Sequence, residues 1–87
     1  MNIYTTEQWE KDGTLQVKEG QIISPAVFYE LLNSVPPTTY AGGFFQMGEA
    51  HSHDWTTNEA LYSTFKHVSD DENGKPLYKY IGLHYAL

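Results

Sequence analysis

The chain has 87 residues, which is room for one domain spanning 1–87 and for only a thin core. Eleven acidic residues against five lysines give a net charge of −6, and there is no arginine. That balance argues against direct nucleic-acid binding, which draws on a cationic surface and favours the arginine fork, and against docking on an anionic membrane.

Without cysteine, no disulfide can reinforce the core, so apolar bulk must do it. Seven Tyr, four Phe and two Trp make that bulk aromatic, and aromatic rings bury large areas per residue. No apolar run approaches membrane-spanning length, and Met1-Asn2-Ile3-Tyr4-Thr5 has neither the basic region nor the apolar core of a signal peptide. A cytoplasmic location is therefore expected.

In chain order, residues 5–12 read as a short helical turn. Thr5 and Gln8 have capping-box spacing and Gly13 is a stop. Trp9 is its sole large apolar residue, so loose docking is expected. Leu15 and Val17 alternate with polar neighbours, which predicts an extended lead-in over 15–23, broken at Gly20. Ser24 is a good N-cap and Pro25 suits the first helical position. Phe28, Leu31, Leu32 and Val35 form one helical stripe, widened by Val27, and Pro36-Pro37 stops it. The spacing predicts a helix over 25–34.

Gly42-Gly43 marks a loop before a strand over 44–50. The polar segment 49–59 shows no apolar period and reads as a long connecting loop. Residues 60–68 carry both periods: Leu61, Phe65 and Val68 at helical spacing, Tyr62, Thr64 and Val68 on one strand face. Asn73-Gly74 decides for a strand, because that pair is a strong hairpin signal. The partner strand is 77–85, with Lys75-Pro76 at its start. Leu77, Ile81 and Leu83 share one face with Lys79 as the exception, and Tyr78, Tyr80 and His84 share the other.

The predicted fold is α+β: one main amphipathic helix packed on a three-stranded antiparallel β-meander, with strands at 44–50, 60–68 and 77–85. The helix stripe covers one sheet face, and the other face displays tyrosines. Such a sheet has free edges, and a homodimer paired through the carboxyl-terminal strand is one way to cover them.

His51 and His53 lie two residues apart in an extended chain and can point the same way, with Glu49 and Asp54 near and His67 and His84 as further candidates. Neutral imidazoles with a carboxylate suit a divalent metal. No third ligand stands at a fixed spacing, so no cofactor is assigned. Ser52 sits between the two histidines, but a catalytic triad is assembled in space rather than by adjacency. No serine lies in a nucleophile elbow, and Gly42-Gly43 with Gly48 lacks the phosphate-loop pattern. The chain is not expected to be an enzyme.

Trp55 is a large apolar residue in a polar segment. It either caps the core or stands out as a contact anchor. Tyr62, Tyr78, Tyr80 and Tyr85 either stiffen the sheet by cross-strand pairing or form a recognition surface. Asp70-Asp71-Glu72 is a solvated turn or a lure for a basic partner. The candidate partner-binding set is therefore Glu49, His51, His53, Asp54, Trp55, Asp70, Asp71, Glu72, Tyr78 and Tyr80.

The stretch Ile23 to Leu83 resembles small proteins of bacterial plasmids, prophages and conjugative elements. The carriers are Ser24 with its helix, Leu32…Val35-Pro36-Pro37, Gly43-Phe44-Phe45-Gln46-Met47-Gly48-Glu49-Ala50, the histidine at 51 or 53, Leu61-Tyr62-Ser63-Thr64-Phe65 and Tyr80-Ile81-Gly82-Leu83. The resemblance brings no activity and no functional residue. It implies an accessory-genome origin, where small acidic proteins often look like inhibitors of host defence, anti-CRISPR proteins among them. The expected function is binding to a protein partner with a basic surface, a bacterial defence component such as CRISPR-Cas being the partner class the resemblance implies. The alternative is a small-ligand or metal-binding domain using the His51/His53 loop or the tyrosine face.

Overall fold

The computed structural model describes residues 2–33 and 38–87. Its elements in order are β1 (Ile3–Tyr4), α1 (Thr6–Asp12), β2 (Ile22–Ile23), α2 (Pro25–Leu32), β3 (Thr39–Ala41), β4 (Phe44–Gln46), β5 (Ser52–Asp54), β6 (Glu59–Asp70) and β7 (Pro76–Tyr85). All seven strands join one mixed sheet in the order β1-β2-β7-β6-β4-β3, with β5 also paired to β6. Among the described strands only β1 and β2 run parallel; α1 lies in the connection between them. The predicted single helix on a three-stranded meander is thus corrected to two short helices and a seven-stranded mixed sheet. The antiparallel trio β4-β6-β7 is only its middle.

Capping explains both helices. Thr5 Oγ1 accepts the Gln8 backbone N–H, and Gly13 ends α1 in the left-handed region at φ 76°. Ser24 Oγ accepts the Val27 N–H, with Pro25 next to it. The helix predicted over 25–34 ends at Leu32 with Asn33 as its C-cap. The predicted stripe member Val35 and the Pro36-Pro37 stop lie outside the described residues. Thr38 donates its hydroxyl to the Leu31 carbonyl, which helps close the end of α2.

The core-facing side of α2 buries Val27, Phe28 and Leu31, each worth about 1.5–3 kcal/mol when removed from water. It meets Phe45, Phe65 and Tyr78 from three adjacent strands, together with Ile23 and Tyr4. Phe28 stacks on Tyr78 at 4.4 Å, and the cross-strand pair Phe45–Phe65 stacks at 4.5 Å. Trp9, Leu15 and Val17 pack against the same cluster, so α1 and the lead-in belong to the same side. Leu15 and Val17 form no strand; of the predicted lead-in Ile22–Ile23 is strand, and just before it Gly20 donates its N–H to the Tyr80 carbonyl while the Gln21 carbonyl accepts the Tyr80 N–H.

This packing reverses the predicted faces of β7. Tyr78 and Tyr80 turn toward α2, so the face away from the helix is not a tyrosine face. Leu77 is buried but outside the core cluster. Two irregularities in the β6–β7 register, between Ser63 and Phe65 and between His67 and Ser69, bend the ribbon. Gly82, at φ 89°, sits in the first of them; a Cβ there would be strained by the backbone and would come within 3.3 Å of the Glu19 carboxylate.

Candidate interaction site at the β5–β6 tip

The segment expected to be one long loop over 49–59 contains β5. Its register against β6 is Ser52↔Leu61, His53↔Ala60 and Asp54↔Glu59, so only Trp55–Asn58 forms the turn. Upstream, the His51 N–H continues the ladder to the Leu61 carbonyl at 2.9 Å. Asn58 closes the turn at φ 59°, a conformation asparagine tolerates better than most residues.

Asp54 organises this tip. Its Oδ1 accepts the Thr56 N–H at 2.9 Å, and its Oδ2 accepts the Tyr85 hydroxyl. The Thr57 hydroxyl reaches the same phenol oxygen at 3.4 Å. The Tyr85 hydroxyl, then the Thr56 N–H, hold the Asp54 carboxyl below the usual carboxylate range. The bond to Asp54 in turn pushes the Tyr85 hydroxyl above the usual phenol value.

Tyr85 is itself anchored from behind. The buried Gln46 carboxamide donates to Thr64 Oγ1 at 3.0 Å and to the Tyr85 carbonyl at 2.8 Å, and accepts the Leu87 N–H at 3.0 Å. The turn is thereby tied to the carboxyl-terminal strand and, through it, to the middle of the sheet.

On this fixed tip Trp55 stands 82 % exposed, the most exposed of the large apolar residues described. The His53 ring meets it in a T-shaped contact at 4.3 Å. His53 Nδ1 is closed off from solvent and has no hydrogen-bond partner. The tip therefore holds His53, Asp54 and Trp55, whereas His51 and Glu49 are exposed on the chain leading into the far end of β5.

The other half of the predicted set lies elsewhere. Asp70, Asp71 and Glu72 sit at the far end of β6, eleven residue steps from Glu59, or about 36 Å along an untwisted strand. Asp70 contacts His67 Nε2 at 2.9 Å. Asp71 Oδ1 accepts the N–H groups of Asn73 and Lys75, so this carboxylate builds the turn. Glu72 alone of the three is uncommitted and exposed.

Tyr78, predicted as a surface contact, is 1 % exposed and belongs to the core. Burial pushes its hydroxyl well above the usual phenol range, and the hydroxyl donates to Tyr40 at 3.0 Å. Tyr80 is half-buried against Phe65 at 5.1 Å. Neither residue joins the tip.

Among the described residues, no three His, Cys, Asp or Glu side chains come together in a way that could hold a metal ion. The His51/His53 alternative therefore lacks a third ligand there. An open cleft of about 650 Å³ lies between β1, α1 and the 16–22 segment. Its polar groups are largely spent on one another: Tyr4 donates to Asp12 at 2.8 Å, Gln8 to Asp12 at 2.8 Å, and Gln21 accepts the Lys18 N–H. No described helix is long and apolar enough to cross a membrane.

Sequence reasoning missed Tyr85 and Gln46 as the residues that fix the tip. Their contacts join positions 31 and 41 apart in the chain, and no local spacing signals them. No family model, curated protein or solved structure matches the chain.

Proposed function

We propose that this protein is a binding module that acts in the cytoplasm by occupying a protein partner, with Trp55 as the anchor of the contact. The observation that carries this reading is a tryptophan left 82 % exposed on a turn that four side chains hold in place. An interface anchor has to be a large ring open to a partner, and tryptophan is enriched among residues that dominate interface energies. Holding the turn beforehand removes part of the ordering cost of association.

The acidic residues Asp54 and Glu59, which face each other at the base of the turn, favour a partner with a basic surface. The resemblance to accessory-genome proteins makes a bacterial defence component, such as a CRISPR-Cas effector, the first partner class to try. Occupying such a component would inhibit it without chemistry, in keeping with a site built from an aromatic anchor and acidic neighbours.

The test is quantitative affinity capture from bacterial lysate with wild type, Trp55→Ala and Glu72→Gln. A partner held through the tip drops at least about tenfold with Trp55→Ala, the scale of a hot-spot truncation. It is recovered unchanged with Glu72→Gln. Equal recovery by wild type and Trp55→Ala would remove the tip from the interaction.

A further inference from the structure

The sheet face turned away from α1 and α2 departs from the pattern of a solvated antiparallel face. Such faces alternate apolar inward with polar outward. Here the register sets Ile3, Ile22, Lys79, Lys66, Phe44 and Ala41 side by side in one row across six strands. Alternation from the core residues Tyr4, Ile23, Tyr78, Phe45 and Phe65 puts this row on the outer face. Ile3, Ile22 and Phe44 are only half-buried there, and Ile81 adds to the apolar surface.

At the centre of the row two lysines are directly opposed, although like charges in cross-strand positions repel. The Lys66 ammonium lies 5.8 Å from the Phe44 ring centre, and neither lysine pairs with a carboxylate among the described residues. Two of the chain's five lysines thus stand in opposed positions, with no carboxylate partner among the described residues, between apolar flanks in a protein of net charge −6.

We infer that this face docks an amphipathic helix of a protein partner, one that places carboxylates between apolar residues. The lysine pair calls for carboxylates at the centre, and the isoleucines and Phe44 call for apolar side chains outside them. From Ile22 to Phe44 is three inter-strand spacings, about 14 Å. That matches about ten residues of helical rise, close to the i, i+11 repeat that returns to one helix face. A second copy packed face to face would set lysine pair against lysine pair, so self-association does not satisfy the site. This surface is separate from the Trp55 tip.

The probe is an alanine-based helical peptide with Leu at i and i+11 and Glu at i+4 and i+7, titrated into the ¹⁵N-labelled full chain at low salt. Amide resonances of Ile22, Phe44, Lys66 and Lys79 are expected to shift saturably, while that of Trp55 stays still. The double variant Lys66→Glu/Lys79→Glu should weaken binding at least about tenfold. Lys66→Gln/Lys79→Gln, which keeps the stems and removes the repulsion, should weaken it less while preserving the fold. Replacing the peptide glutamates by lysine should abolish the shifts. Absence of saturable shifts at this row, or equal binding by the charge-reversed variant, would overturn the inference. So would preferential binding of an oligothymidylate or of anionic vesicles, or dimerisation through this face.

Discussion

The two ends of the β6 ribbon are closed by the same chemistry and differ in what they display. At one end Asp71 accepts the N–H two residues on, and Gly74 supplies the left-handed residue at φ 77°. At the other Asp54 accepts the N–H two residues on, and Asn58 supplies it at φ 59°. Both are aspartate-initiated turns, a local device that needs no function to explain it. The first end adds only polar side chains. The second adds a tryptophan, a histidine ring against it and a tie to Tyr85. The surplus at the second end, rather than the turn itself, is what calls for a partner.

Both ends of the ribbon flank one aromatic core, and breaking that core has the largest expected effect. Phe45→Ala removes a buried ring stacked on Phe65 and in contact with Phe28 and Tyr78. It should cost about 3–5 kcal/mol in chemical denaturation. Amide exchange at both turns should rise together. Loss of protection at one end alone would mean the ends belong to separate cooperative units.

A smaller effect separates the turns by function. Asn58→Ala and Gly74→Ala each force alanine into the left-handed region, at about 1–2 kcal/mol. Denaturant midpoints should show the two turns responding alike. Capture of a partner should fall only with Asn58→Ala, because only that turn carries the anchor. Equal loss with both would point to global stability rather than to the tip.

The smallest effect is a titration. Asp54 has a folded pKa below its unfolded value of about 3.9, so its contribution is present above that value and is lost as pH falls through the folded pKa. Tyr85 has a folded pKa above its unfolded value of about 10, so its contribution is present below that value and is lost as pH rises through the folded pKa. The tie between tip and carboxyl-terminal strand therefore holds across the intervening range. Carboxyl ¹³C titration should place Asp54 below the ordinary range in wild type and move it up toward 3.9 in Tyr85→Phe. No movement would show that the Tyr85 bond does not set the carboxyl.

Local chemistry made part of this fold readable in the sequence. Thr5 with Gly13 and Ser24 with Pro25 mark helix ends because capping acts within a few residues. Asn73-Gly74 marks the β6–β7 turn, although it closes there as Asp71–Gly74 with Gly74 alone left-handed. The strands β1, β2, β3 and β5 are two or three residues long, too short to show a period. They exist because a neighbouring strand offers its hydrogen bonds.

The faces of β7 were misassigned because both of its alternating sets are apolar enough to bury. Aliphatic Leu77, Ile81 and Leu83 looked like the core set. Tyr78 and Tyr80 took that place because Phe28, Phe45 and Phe65 present rings that stack on them. At the candidate site, Trp55 and its acidic neighbours stood out as a large ring in a polar segment. The Tyr85 and Gln46 supports did not, since only the folded sheet brings them there.

Acrylamide quenching of Trp55 fluorescence in a Trp9→Phe background tests most directly whether an aromatic anchor is held out in water. Quenching close to that of free tryptophan, combined with slow rotation of the ring in time-resolved anisotropy, is the predicted result. A shielded, weakly quenched Trp55 would contradict it, because the ring would then be core and the tip would have nothing to offer a partner.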